Sequence, residues 1–381
     1  MDKSKLKKNF ILNIKILILI SLLSLFLFYP YTVMNGSDLQ KYIIFQNELS
    51  LDIIGFFKYL YNNRLDGPMF FITVLIYKIL FLFNNFINWE QLFVFINLLS
   101  FFLTYLFTSR ILEIKDNFHF MIFTFLFWLN LEYFSWNFYT LTDIIFSLLI
   151  VVFLLNFVNK NKIYFLIFFI IIFFRSTGII LILFLTQYLL LISFFKEKMI
   201  TRNLIFGLIL FNLILLFLSA AGFSHLEFGD NQLQEKINFY KEKLSRGVII
   251  DDRPSTYIFG EDSTIFYFKI MILRYCYFFA PYAQEFSLVH KLYNLVYFGV
   301  IYFGIICCLI NFEKFQRREK LIINKMILFI TSFAVFHSIY IIDYDWRYRM
   351  PVYVPMLILS FYGYKLFLDR YIQKLNLKLN F

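Results

Sequence analysis

The chain has 381 residues, of which 61% are hydrophobic, 23% aromatic and only 16% charged, with a mean hydropathy of +0.71. So little polar surface does not cover so much apolar material in water, which excludes soluble catalytic domains, nucleic-acid modules and secreted disulfide scaffolds. The formal net charge of +11 is gathered in clusters beside apolar runs, the distribution that the positive-inside rule describes.

Taken in chain order, at about 20 apolar residues per crossing, spans are predicted near 10–33, 90–109, 118–135, 142–158, 177–195, 203–222, 289–310, 325–342 and 350–368, with a shorter one over 163–174. The first follows the basic start Met1–Lys8. No small-residue cleavage site comes after it, so it is expected to stay as a signal anchor. Basic clusters at Lys3–Lys8, Arg110 with Lys115, Lys160 with Lys162, Lys196–Arg202, Lys314–Lys325 and Arg370–Lys378 predict that both termini are cytoplasmic. The segments 34–66, 135–143, 223–262 and 343–349 then fall on the outer side.

Within the first outer loop, Leu39–Asn63 reads as one or two short amphipathic helices on the membrane surface. In the long loop 223–262, alternating charges through Glu235–Lys243 predict a solvated helix. The apolar stretches 68–87, with Lys78, and 264–282, with Lys269 and Arg274, break the parity. A cation at the bilayer centre costs at least about 2.5 kcal/mol, so both are expected to be re-entrant or interfacial. The fold class predicted is all-α: one polytopic membrane bundle over 1–381, of about 10–12 spans, with helices in its outer loops.

Cys276, Cys307 and Cys308 are odd in number, lack metal-ligand spacing and read as small core residues. The four histidines, His119, His225, His290 and His337, contain no pair at metal-ligand spacing. Neither a metal nor any other cofactor is expected. A Gly-rich phosphate loop is absent too, which argues against a nucleotide-driven pump.

Ionisable residues held at a membrane boundary are the candidates for chemistry. Asp38, in Gly36-Ser37-Asp38, stands one helical turn before Tyr42. It is placed either to act as a general base on an acceptor or to cap the helix that begins at Leu39. Asp143 ends Thr140-Leu141-Thr142-Asp143 at the start of a span, after Glu132 and Trp136, and it too serves as either cap or site residue. Arg175 lies where a short apolar run turns into the next. It would snorkel to headgroups, or its planar fork would hold phosphate oxygens. The densest group is Asp343-Tyr344-Asp345-Trp346-Arg347-Tyr348-Arg349-Met350-Pro351. Arginines beside carboxylates on the outer side answer no demand of the positive-inside rule. Together these residues describe a pocket for an anionic, lipid-borne group with a base nearby.

This order of motifs resembles the GT-C superfamily of integral-membrane glycosyltransferases, in particular protein mannosyltransferases and lipid A aminoarabinose transferases. Asp38 with Tyr42 resembles the catalytic acidic position of the first outer loop, and Asp66-Gly67-Pro68-Met69-Phe70-Phe71 the entry to the next hydrophobic segment. Asp143 resembles the second acidic position and Arg175 a basic position in mid-sequence. Arg347-Tyr348-Arg349-Met350-Pro351, with Pro355, resembles the closing Arg-Tyr-x-x-Pro signature.

The resemblance implies inverting transfer of a sugar from a polyprenyl-phosphate donor to a glycan, lipid or protein acceptor at the outer face of a bacterial-type inner membrane, without a metal. It implies Asp38 and Asp143 as catalytic residues. Tyr42, Arg175, Asp345, Arg347, Tyr348 and Arg349 would then bind substrate. The alternatives are an O-antigen or exopolysaccharide polymerase, which the loop 223–262 would serve, and a transporter of lipid-linked sugars, which would carry more charges deep within its spans.

Overall fold

The computed structural model describes residues 3–28, 33–35, 38–50, 52–62, 66–84, 86, 88–195, 202–225, 231–250, 253–282, 286–339 and 349–379. The described residues form helices and turns, with one isolated β-bridge between Met34 and Tyr139. Cα packing divides the chain into two compact units, residues 1–181 and 182–381.

The first unit holds α1 (Lys3–Phe28), α2 (Leu39–Glu48), α3 (Ile53–Asn62), α4 (Asp66–Leu82), α5 (Trp89–Ile111), α6 (Asn117–Trp128), α7 (Leu131–Ser135), α8 (Asp143–Val158) and α9 (Ile163–Ile172). Its middle is α5 against α8, with α9 on α8 and α2 on α4. Short polar side chains set the helix starts. Asn88 accepts from the Glu90 amide at 2.9 Å, Asp116 from Phe118 and His119, and Asn130 from Tyr133. The Asn130 cap explains a departure from the sequence reading. The predicted span 118–135 is two helices, because the chain stops α6 at Trp128 and starts α7 afresh behind this cap.

The second unit takes in most of α10 (Ile180–Phe195), then α11 (Arg202–His225), α12 (Asn231–Ser245), α13 (Thr264–Phe278), α14 (Leu288–Ile310), α15 (Arg317–Ile339) and α16 (Met350–Leu379). α14 and α16 pack most closely, through Gly304 and Gly363. A Cβ built on Gly363 would stand 1.9 Å from the Gly304 carbonyl oxygen. Both ends of α13 are tied to neighbouring helices. The Thr264 hydroxyl meets Ser224 near the end of α11 at 2.8 Å. Arg274 donates to the Ser338 carbonyl at the end of α15, and Arg349, just before α16, donates to Tyr277 and Ala280 at 3.1 and 2.9 Å.

Among the described residues five helices are long and apolar enough to cross a membrane: Trp89–Ile111, Gly207–His225, Leu288–Ile310, Arg317–Ile339 and Met350–Asp369. The apolar helices Ile11–Leu27, Pro68–Leu82, Asn117–Trp128, Asp143–Val158, Ile163–Ile172 and Ser176–Leu191 are shorter. At 1.5 Å per residue α6 and α9 reach only about 18 and 15 Å, against a hydrocarbon core of about 30 Å. α15 also begins earlier than the sequence suggests, since Arg317, Arg318 and Lys320 form its first turn and the Lys320 ammonium pairs with Glu313 at 3.0 Å. In the loops, α2 and α3 fill 39–62, and α12 covers the charged stretch 235–243.

Candidate functional site

Asp38 stands immediately before α2 and is half-buried. Its carbonyl accepts the Tyr42 amide at 3.2 Å and so starts the helix, but its carboxylate makes no capping hydrogen bond to the first turn. Position alone therefore marks it as a cap. One turn on, the buried Tyr42 ring stacks on Tyr77 of α4, with centroids 5.3 Å apart and planes 21° off parallel. Phe93 of α5 also packs on Tyr77, with centroids 5.2 Å apart.

Tyr77 is fully buried, and its phenol donates to the Thr140 carbonyl. It lies within electrostatic reach of both carboxylates, Asp38 and Asp143, and of the Arg175 guanidinium. Four residues singled out from the sequence, Asp38, Tyr42, Asp143 and Arg175, are thus gathered around a fifth that was not.

The strand-like turn before α8 is built with unusual economy of side chains. Met34 exchanges two backbone bonds with it: the Met34 amide donates to the Phe138 carbonyl, and the Thr140 amide donates to the Met34 carbonyl, each at 3.0 Å. The Thr140 hydroxyl adds a contact to the Asn35 side chain at 3.0 Å. The segment just before Asp38 is therefore tied to the segment just before Asp143. From α5, the buried Asn97 amide nitrogen donates to the carbonyls of Asn137, Tyr139 and Leu141 at 3.4, 2.9 and 3.3 Å. In apolar surroundings buried carbonyls need such donors, so this one amide helps to set the path of the turn.

Asp143 is the first residue of α8, where the helix dipole favours a negative charge. It is 3% exposed, and its Oδ1 accepts from Arg175 Nη1, itself on a residue 5% exposed. Among the described residues Asp143 Oδ2 has no hydrogen-bond partner, and neither has the Thr142 hydroxyl beside it.

Arg175 reaches this place because the chain breaks after α9. Its backbone is extended, with φ −151° and ψ 150°, between the end of α9 and the 3-10 turn Ser176–Ile179. The break is pinned from α4. The Thr73 hydroxyl donates to the Phe174 carbonyl at 2.6 Å and the Ile72 amide to the Phe173 carbonyl at 3.0 Å. Gly178 lets the turn close on α9, for a Cβ there would stand 2.2 Å from the Ile171 carbonyl oxygen. The guanidinium also lies 5.9 Å from the Phe146 ring, which stacks on Phe174.

Arg349 belongs to the second unit. Its two terminal nitrogens bind the carbonyls at the end of α13, and its guanidinium lies 5.7 Å from the Phe278 ring. Asp345, Arg347 and Tyr348 lie outside the described residues. Sequence reasoning missed Tyr77, Asn97 and Thr140. Asn97 carried a signal, a side chain with strong hydrogen-bonding needs in the middle of an apolar span. Tyr77 carried none among 27 tyrosines.

What the first unit offers chemically is a half-buried carboxylate, a buried carboxylate–guanidinium pair and a buried phenol within electrostatic reach of both. No family model matches the chain, and no curated protein or solved structure matches it.

Proposed function

We propose that the chain is a membrane glycosyltransferase of the GT-C kind, which moves a sugar from a polyprenyl-phosphate donor to an acceptor at the outer face of a bacterial inner membrane. One observation carries the reading: Asp38, Asp143 and Arg175, far apart in sequence, all lie within electrostatic reach of the buried Tyr77, and two of them form a buried ion pair. Buried charges are expensive in such surroundings and are retained where chemistry needs them.

In this reading Asp38 is the base. As the acceptor oxygen forms its bond to the anomeric carbon, Asp38 takes the acceptor's proton. The bond from that carbon to the phosphate oxygen breaks, and its electron pair leaves on the polyprenyl phosphate. Arg175 stabilises the negative charge that grows on the leaving phosphate, where a fixed cation in a dry site is worth most. Asp143 orients the acceptor or the donor. The polyprenyl chain lies in the bilayer, and both termini are cytoplasmic. The proposal retains Asp345, Arg347, Tyr348 and Arg349 as substrate-binding residues, as the closing motif implies.

The test is sugar transfer in proteoliposomes supplied with radiolabelled polyprenyl-phosphate sugars, comparing the native chain with Asp38→Asn. Transfer by the native chain, with a loss of at least about 100-fold in the variant, is the expected outcome for a general base. If the native chain transfers no monosaccharide but lengthens lipid-pyrophosphate oligosaccharides, it is a polymerase instead.

A further inference from the structure

The contact between Asp143 and Arg175 is one-sided. Only Oδ1 of the carboxylate meets the guanidinium, while Oδ2 is buried and has no hydrogen-bond partner among the described residues. A buried carboxylate oxygen without a donor is costly, so this pair falls short of the bidentate fork that a guanidinium forms with a two-oxygen anion.

The two partners are also held independently of each other. Arg175 is fixed by the bonds from Thr73 and Ile72 to the two carbonyls before it and by the tight turn at Gly178. Asp143 is fixed as the first residue of α8, where the helix dipole supplies a second source of stabilisation. Each backbone position therefore has an anchor apart from the pair.

We infer that Asp143 is a placeholder on Arg175: the anionic group of a phosphate ester displaces it, and the released carboxylate then accepts a hydrogen bond from the hydroxyl of an acceptor. The inference rests on the transferase reading and adds to it an order of events, lipid phosphate first and hydroxyl second. A phosphate diester brings two oxygens that share one negative charge, against the single oxygen that Asp143 offers. No covalent bond changes in the exchange. One ion pair opens and another forms, and only then does Asp143 have both oxygens to give.

The measurement is binding of farnesyl phosphate, a short single-chain lipid phosphate, to the full chain in nanodiscs. Asp143→Asn keeps the shape and the oxygen but removes the competing charge. It is expected to bind at least about tenfold tighter than the native chain, the factor for losing a competing charge-assisted hydrogen bond. Equal or weaker binding by the folded variant overturns the inference.

The native chain supplies a second readout that does not depend on how well the variant folds. Saturating farnesyl phosphate should slow amide exchange over 174–178 and quicken it over 142–146, and slowing of both or of neither overturns the exchange. Should farnesyl phosphate bind to neither chain while the same vesicles still transfer sugar, the placeholder is wrong and the transferase reading stands. Binding and exchange as expected without any transfer would keep the placeholder and remove the transferase.

Discussion

Tyr77 donates its phenolic hydrogen to the Thr140 carbonyl, and this one bond joins α4 to the turn that leads into Asp143. The same ring stacks on Tyr42, so α2 and the Asp38 that precedes it are registered against the same turn. Tyr77→Phe keeps the stack and leaves the Thr140 carbonyl, in a buried residue, without this donor. A loss of about 1–3 kcal/mol in unfolding free energy in mixed micelles is expected. Transfer should fall through kcat more than KM, since the variant moves a base relative to a bound donor and removes no donor contact. An unchanged kcat would mean that Tyr77 only packs.

Asn97 controls three carbonyls at once, at Asn137, Tyr139 and Leu141. Asn97→Leu fills the space and deletes every donor, and for that reason it should be worse than Asn97→Gln, which keeps the amide on a longer arm. The expected destabilisation is at least about 2–3 kcal/mol for the leucine variant, read from thermal or detergent unfolding. Faster amide exchange over 137–143 than in the native chain should accompany it. Leucine being as stable as asparagine would show that the turn holds its own path.

The sequence made the apolar helices legible because twenty-residue hydropathy is a collective signal that no single residue can hide. The places of Asp143 and Arg175 were legible for the same reason, since both stand where an apolar run begins or ends. Their pairing was not. It depends on the break after α9 and on two bonds from α4 to Phe173 and Phe174, and neither leaves a pattern in residue types. The split at Asn130 was missed because a lone asparagine in an apolar run reads as tolerated polarity, whereas here its side chain caps a new helix. Tyr77 was invisible because tyrosine is an ordinary filler in this chain, and only its position relative to Asp38 and Asp143 distinguishes it.

The start of α3 offers a pH prediction outside the spans. The Ser50 hydroxyl and the Gly55 amide both donate to the Asp52 carboxylate, at 2.6 and 2.5 Å, and hold its pKa below the ordinary 3.8. A depressed folded value contributes stability above the unfolded value and loses it as pH falls through the folded one. Amide exchange at the start of α3, corrected for the intrinsic rate, should therefore be flat from pH 8 to pH 5 and should rise only below 3.8. Asp52→Ala should show the raised exchange at every pH, and flat behaviour in both chains down to strong acid would dismiss the cap.

Gly363 tests the close approach of α14 and α16. A side chain there would meet the Gly304 carbonyl and the Cys308 amide, which are backbone atoms that cannot rotate away. Gly363→Val must push the two helices apart, and an overpacking penalty of about 1–3 kcal/mol or more is expected. Gly299, beside which a Cβ meets nothing within 4 Å, is the control. Gly299→Ala should unfold at the native midpoint or above it, because alanine favours the helix by about 1 kcal/mol over glycine.

The buried pair itself is best examined by a cycle of substitutions. Asp143→Ala leaves the Arg175 guanidinium, on a residue 5% exposed, without the carboxylate it now meets. Stranding one member of a buried pair typically costs about 3–5 kcal/mol. Arg175→Met strands Asp143 in turn, by less, because the start of α8 still favours its charge. The double variant Asp143→Leu with Arg175→Met replaces both charges by apolar bulk, removes the unsatisfied Oδ2, and should recover most of the stability lost by either single change. It should at the same time abolish sugar transfer. Stability recovered without activity would separate what the pair does for folding from what it does for chemistry. A double variant as unstable as Asp143→Ala would instead mean that Arg175 is needed by the fold through contacts other than Asp143.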